Sequence, residues 1–241
     1  IFVIDNFHEA FLKLKEIFSQ QVKKIGVENA QVHKSAEVGQ AFVGAGTIIG
    51  PHVVIADGAV IEKNCLIEAG VVIGPQVFIG ENTVIKAHSV IGSEGFVPFG
   101  QQAKNLNCLA SVVIEADCRI GALCSIDRGL LGDTTIKKGS LLDNMVHIGH
   151  DSIVGEYCII AGQSGLSGNV RLGDFVTMGG QSGIVPHVVV GDGARISGKS
   201  LVHCDIKSQE IWSGNPSMPH GIYLRSYAKL RRDFRGKIGK I

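Results

Sequence analysis

"VGAGTIIGPHVVIADGAVIEKNCLIEAGVVIGPQVFIG", residues 43–80, places an aliphatic side chain at every sixth position. Stepping by six from Val43 meets Ile49, Ile55, Ile61, Ile67, Ile73, Ile79, Ile85 and Ile91. The ladder resumes at Ile114, Ile120 and Ile126. After a slip of four residues it continues through Ile136, Leu142, Ile148, Val154, Ile160, Leu166, Leu172, Met178, Ile184, Val190, Ile196 and Val202. Every ladder position is aliphatic or Met, and a strict internal period of this kind marks a repeat architecture.

Four residues after nearly every ladder position the side chain is small or a valine, as at Thr47, Val53, Ala59, Cys65, Ser89, Cys118, Cys124, Ser140, Val146, Ser152 and Cys158. The residue just after the ladder is often glycine, as at Gly50, Gly74, Gly80, Gly121, Gly149 and Gly173. This pattern resembles the hexapeptide repeat, [LIV]-[GAED]-x-x-[STAV]-x. The resemblance implies an all-β solenoid in which three hexads close one triangular coil of a left-handed parallel β-helix. Elementary physics agrees: a six-residue strand and turn cannot bury its apolar residue alone. Coils therefore stack ~4.8 Å apart to build a continuous core. Glycine is expected to supply strained turn conformations and close approach between coils. Cys65, Cys118, Cys124 and Cys158 fall on the small inward position and read as small hydrophobes.

Length and composition bound the rest. The chain has 241 residues, a net charge of +1, 32 glycines and only 6% aromatic residues. One large domain, or one domain plus appendages, is expected, and no global nucleic-acid signature exists. The charge is uneven: residues 225–241 carry seven Lys or Arg against Asp233, leaving 16 basic and 21 acidic residues elsewhere. Six cysteines form no CxxC pair, no secretory pattern opens the sequence, and no apolar run approaches the ~18 residues of a membrane span. A reducing, cytoplasmic location is expected.

Three segments break the period. Residues 5–22 have helical spacing, with Phe7, Phe11, Leu14 and Phe18 on one face. Residues 92–112 form a loop too long to be mere connection. Residues 221–241 read as a basic helix after the turn-rich "SGNPSMPH". The expected organisation is a remnant of an N-terminal domain with a connecting helix over 1–26, a β-helix over 27–212, and a helical extension over 213–241.

The register then interprets "NMVHIGHDSIVG", residues 144–155. Ile148 points inward, so alternation turns His147 outward on a flat face, while His150 falls at a corner. Their side chains are expected to diverge, which argues against joint metal chelation. One coil of eighteen residues carries His150 to Gly168, and His187 lies near the same edge two coils away, about 10 Å by stacking. An imidazole base, a backbone amide and a second histidine thus share an edge. By position alone, the plainer reading as exposed polar residues stays open.

"IDRGLLGDTTI" (126–136), "LLDNMVHIGHDSIVGEYCIIAGQSGLSG" (141–168), "GDFVTMGGQSGIVPHVVVGDG" (173–193) and "SGNPSMPH" (213–220) resemble the UDP-3-O-acylglucosamine N-acyltransferase family of lipid A biosynthesis. The resemblance covers essentially the whole chain. It implies a homotrimer with sites in clefts between neighbouring prisms. It also implies transfer of a 3-hydroxyacyl chain from acyl carrier protein to the 2-amino group of UDP-3-O-acylglucosamine, with no cofactor. On this resemblance His150 is the general base, Gly168 the oxyanion-hole glycine, His187 a contact to the substrate's polar groups, and Asp143 and Asn144 supports of the site. The sequence departs from the family at Gly92–Phe99 and at Pro186, where glycine is usual. The family's uracil-holding N-terminal domain is expected to lie outside this chain.

The chemistry suits these residues. An imidazole with a pKa of ~6.5 is mostly neutral at cytosolic pH and matched to taking a proton from an attacking amine. A preorganised amide donor for the oxyanion is worth about 3–4 kcal/mol. The basic tail fits an acidic carrier protein. Three other readings compete: a UDP-N-acetylglucosamine O-acyltransferase, a β-helix carbonic anhydrase with zinc held by histidines of neighbouring chains, and a catalytically idle scaffold.

Overall fold

The computed structural model describes residues 25–99, 104–105 and 107–238. The helix expected over 5–22 lies outside the described residues. Short strands alternate with tight turns, and every third strand pairs in parallel across one coil. Phe42–Val43 pairs with Val60–Ile61 on a first sheet, Ile48–Ile49 with Leu66–Ile67 on a second, and Val54–Ile55 with Val72–Ile73 on a third. Among the described residues these sheets contain nine, eleven and nine strands. They form a parallel β-solenoid whose cross-section is a triangle.

The ladder is the core. From Val43 to Val202 no ladder residue is more than 3% exposed. The register stacks like on like, Ile61 on Ile79 and Ile148 on Leu166, so each aliphatic side chain meets its equivalents above and below. The small inward residues do more than save space. Thr47 Oγ1 donates to the Glu62 carbonyl at 2.8 Å and accepts from the Cys65 N–H at 3.0 Å. Ser140 repeats this with the Gly155 carbonyl and the Cys158 N–H. A hydroxyl there satisfies a donor and an acceptor that the turn would otherwise leave buried and unpaired.

Glycine's role differs in part from the expectation. The left-handed turn position is filled mostly by other residues, such as His52, Asn64, Gln76 and Asn82 at φ 58–61°. None of the non-glycine residues there is β-branched, as sterics require. The glycine after the ladder serves close approach instead. A Cβ at Gly149 would lie 2.8 Å from the Gly168 nitrogen in the next coil.

The irregularities gather at one corner, where the third sheet hands over to the first. The 92–112 insertion leaves from Val90–Ser93 and returns at Val112–Ile114. The four-residue slip leaves from Ser125–Asp127 and returns at Thr134–Ile136. The next coil, from His147–Ile148 to Ile153–Val154, turns through His150 at the same corner. Beyond the last coil, Met218–Pro219 pairs antiparallel with Ile211–Ser213 and leads into helix α1, His220–Ile238. Ser213 Oγ and His220 Nδ1, 2.7 Å apart, tie this helix to the solenoid end. No described helix is long and apolar enough to cross a membrane.

Candidate active site

His150 and Asp151 occupy the turn between the third and first sheets, with Asp151 in the left-handed region at φ 57°. His150 Nδ1 lies 2.8 Å from Asp151 Oδ2, and both side chains are 15% exposed. The same carboxylate accepts the N–H groups of Leu130 at 2.9 Å, Leu131 at 3.2 Å and Gly132 at 3.0 Å. The period slip is therefore a backbone cradle for Asp151. Burial alone pushes that carboxyl up. The Leu130 N–H, the His150 ring and the N–H groups of Gly132 and Leu131 outweigh it and hold the group below the usual carboxylate range. An ionised Asp151 selects the Nδ1–H tautomer of His150 and leaves Nε2 with a free lone pair.

Nε2 faces Gly168. A Cβ at Gly168 would collide with Nε2, and with Cε1 at 2.6 Å. Only glycine leaves room for the ring. Ser152, buried beneath, donates to the Ser167 carbonyl at 3.0 Å and accepts from Val170 N–H at 3.1 Å. In a trans peptide the carbonyl and the next N–H point opposite ways. Because the Ser167 carbonyl is drawn inward, the Gly168 N–H is turned outward, and it has no partner among the described residues.

A cavity of about 610 Å³ runs along this corner, and His147, His150, Gly168 and His187 all line it. The 92–112 insertion supplies a wall: Phe96, Val97 and Pro98 line the cavity. Gly95 packs so closely on His150 that a Cβ would lie 2.8 Å from the histidine's own Cβ. His187, at φ 65°, sits in the turn column of Asp151 and Asn169, and its N–H donates to the Gly168 carbonyl at 3.3 Å. His147 is exposed, with Nε2 3.8 Å from Asp127 Oδ2.

The structure thus keeps both histidines of the HxxH segment on one cavity, each beside its own carboxylate. The sequence placed His147 outward on a flat strand and His150 at a corner, as observed, but missed Asp151 and Asp127 beside them. The signals available were an acid directly after His150 and the slip in the period beside Asp127. Asp143 and Asn144 are elsewhere, at the corner between the second and third sheets. Asp143 accepts from Gly162 N–H at 3.1 Å, and Asn144 Oδ1 from Ala122 N–H at 2.8 Å. They line a second cavity of about 330 Å³ with Lys86 and Arg119, and do not line the first. Burial pushes the thiols of Cys65, Cys118 and Cys158, and of Cys108 in the insertion, up to about 11, which makes these four poor nucleophiles.

Comparison with known proteins adds the following. A bacterial transferase hexapeptide (six repeats) model matches residues 58–93. A UDP-3-O-acylglucosamine N-acyltransferase of Helicobacter hepaticus is 35% identical over 246 residues, covering 95% of this chain and 73% of that protein. Its counterpart in Maricaulis maris is 52% identical over 154 residues, covering 63% of this chain but only 44% of that protein. The match thus spans less than half the length of the Maricaulis relative. Among solved structures, a UDP-N-acetylglucosamine O-acyltransferase of Moraxella catarrhalis superposes with a TM-score of 0.68 at 29% identity, over 80% of this chain and 73% of that one.

Proposed function

Because the chain belongs to the UDP-3-O-acylglucosamine N-acyltransferase family, we propose that it transfers a 3-hydroxyacyl chain from acyl carrier protein to the 2-amino group of UDP-3-O-acylglucosamine, a step of lipid A biosynthesis. The observation that carries this reading is the His150 imidazole, oriented by Asp151, with its Nε2 beside Gly168. As the amine attacks the thioester carbonyl, Nε2 takes a proton from the nitrogen, and Asp151 stabilises the imidazolium. The tetrahedral oxyanion is met by the outward Gly168 N–H. Collapse expels the thiolate, which takes the proton back from His150. His187, on the same cavity, contacts the polar groups of the substrate.

In this reading the enzyme is a cytoplasmic homotrimer. A threefold arrangement sets different corners of neighbouring prisms against one another, which would give Asp143 and Asn144 a place at the site of the next copy. Exposed aliphatic residues beside them, Leu141 at 43% and Ile159 at 49%, suit such an interface. The exposed Arg225, Lys229, Arg231 and Arg232 of helix α1 suit an acidic carrier protein. A second reading, O-acyl transfer to UDP-N-acetylglucosamine, is favoured by the Moraxella likeness. An acyl-transfer assay offering both acceptors decides between them: a new amide on the amino sugar supports the first reading, and an ester on the N-acetyl sugar replaces it with the second.

A further inference from the structure

We propose that Asp127 recognises the acceptor's amine and sets the preference for an amine over a hydroxyl nucleophile; the inference rests on the N-acyl transfer argued above. Ser125 pairs with His147 and Ile126 with Ile148, so Asp127 lies one coil beneath Gly149, the residue preceding His150. Coils in a parallel ladder are ~4.8 Å apart. The Asp127 side chain is 10% exposed and lines the His150 cavity.

The two carboxylate oxygens have different surroundings. Oδ1 accepts from Ser93 Oγ at 2.9 Å and, weakly, from Ser125 Oγ at 3.5 Å. Oδ2 has no hydrogen bond among the described residues. His147 Nε2 stands 3.8 Å from it, beyond hydrogen-bond range. Asp127 thus presents Oδ2 to the cavity from a mostly buried side chain, where a cationic or strongly donating ligand can reach it. Among the described residues no Lys or Arg lines the cavity, and Asp127 is the one carboxylate that does. A primary amine arriving as ammonium matches the charge of that oxygen. A hydroxyl brings one donor and no charge.

The proton balance is consistent with this role. The bound ammonium releases one proton to water and becomes the free amine. Its nitrogen then bonds to the thioester carbonyl carbon while His150 takes the second proton. The carbon–sulfur bond breaks, and the departing thiolate receives that proton from the imidazolium. The products are an amide, a thiol and one proton in solvent, and Asp127 ends as it began.

Asp127 could alternatively serve only as a tie to Ser93, where the 92–112 insertion departs. Two variants of the full chain separate these roles. Asp127→Asn keeps an oxygen for Ser93 and removes the charge, while Ser93→Ala removes the tie and keeps the charge. Each is assayed for transfer to UDP-3-O-acylglucosamine and for inhibition by the analogue bearing a 2-hydroxyl in place of the 2-amine. The proposal expects Asp127→Asn to lose kcat/KM for the amine by about 10–100-fold, mainly through KM, with the analogue's inhibition constant changed by no more than about twofold. Ser93→Ala keeps the amine preference. Equal losses for amine and analogue in Asp127→Asn, an unchanged preference there, or loss of the preference in Ser93→Ala overturns the proposal alone. Failure of the wild-type chain to acylate the amino sugar overturns the N-acyl transfer reading, and this proposal with it.

Discussion

At the residue scale, the site rests on one carboxylate serving two masters. Asp151 Oδ1 accepts the Leu131 and Gly132 N–H groups, while Oδ2 accepts the Leu130 N–H and orients His150. In Asp151→Asn an amide oxygen kept on the Leu131 and Gly132 N–H groups puts the NH₂ at the Oδ2 position, where it donates to Nδ1 and is set against the Leu130 N–H. The imidazole would then carry its proton on Nε2, the wrong nitrogen for a base. Loss of kcat by ~10²–10⁴-fold is expected, comparable to removing a general base outright. The substitution also has a signature in stability. A carboxyl held below its ordinary value stabilises the fold above the unfolded-state pKa of ~3.9, and that contribution is lost as pH falls through the lowered folded value. Thermal melts across pH should therefore place wild type above Asp151→Asn at neutral pH, with the gap closing in acid. Much of this was hidden in the sequence, because three backbone N–H donors look the same in every residue. The position of His150 was legible, since the six-residue register fixes which residues reach a corner. That Asp151 would be its partner was not.

At the element scale, a coil is held to the next by a side-chain bridge as well as by the ladder. Ser152 joins the His150 coil to the Gly168 coil by accepting from Val170 and donating to the Ser167 carbonyl. That second bond turns the Gly168 N–H toward the cavity. Ser152→Ala leaves the Val170 N–H without its buried partner, a cost of about 1–3 kcal/mol. It is also expected to lower kcat about tenfold with KM little changed, since the oxyanion donor proposed at Gly168 loses its fixed aim. Denaturant titration and steady-state kinetics on the same sample check both. An unchanged kcat would show that Gly168 needs no such support. The ladder and the small inward positions were readable because they repeat through the chain. The insertion and the slip repeat nowhere, so the sequence marked them as breaks without revealing that both build the same corner. The hand of the helix came from resemblance alone.

At the scale of the whole molecule, one chain separates features that the family reading groups together. His150 and His187 stand on one corner, Asp143 and Asn144 on another, with exposed Leu141 and Ile159 nearby. If a threefold assembly unites the two corners, Ile159→Lys should dissociate the assembly to a single-chain mass in light scattering while circular dichroism stays that of a β-solenoid. Activity should fall with the mass. A monomeric variant of full activity would leave Asp143 and Asn144 as ties between coils and nothing more. Assembly was beyond a reading of residue register, which says which side chains face outward but not what they meet.

The most direct measurement of the central claim is acyl transfer from 3-hydroxyacyl carrier protein, offered UDP-3-O-acylglucosamine and UDP-N-acetylglucosamine in parallel, with wild type and His150→Ala. The expected result is amide formation on the amino sugar alone, reduced ~10²–10⁴-fold in His150→Ala while its circular dichroism stays that of a folded β-solenoid. Transfer to the N-acetyl sugar instead, or a folded His150→Ala variant with wild-type activity, would contradict the account.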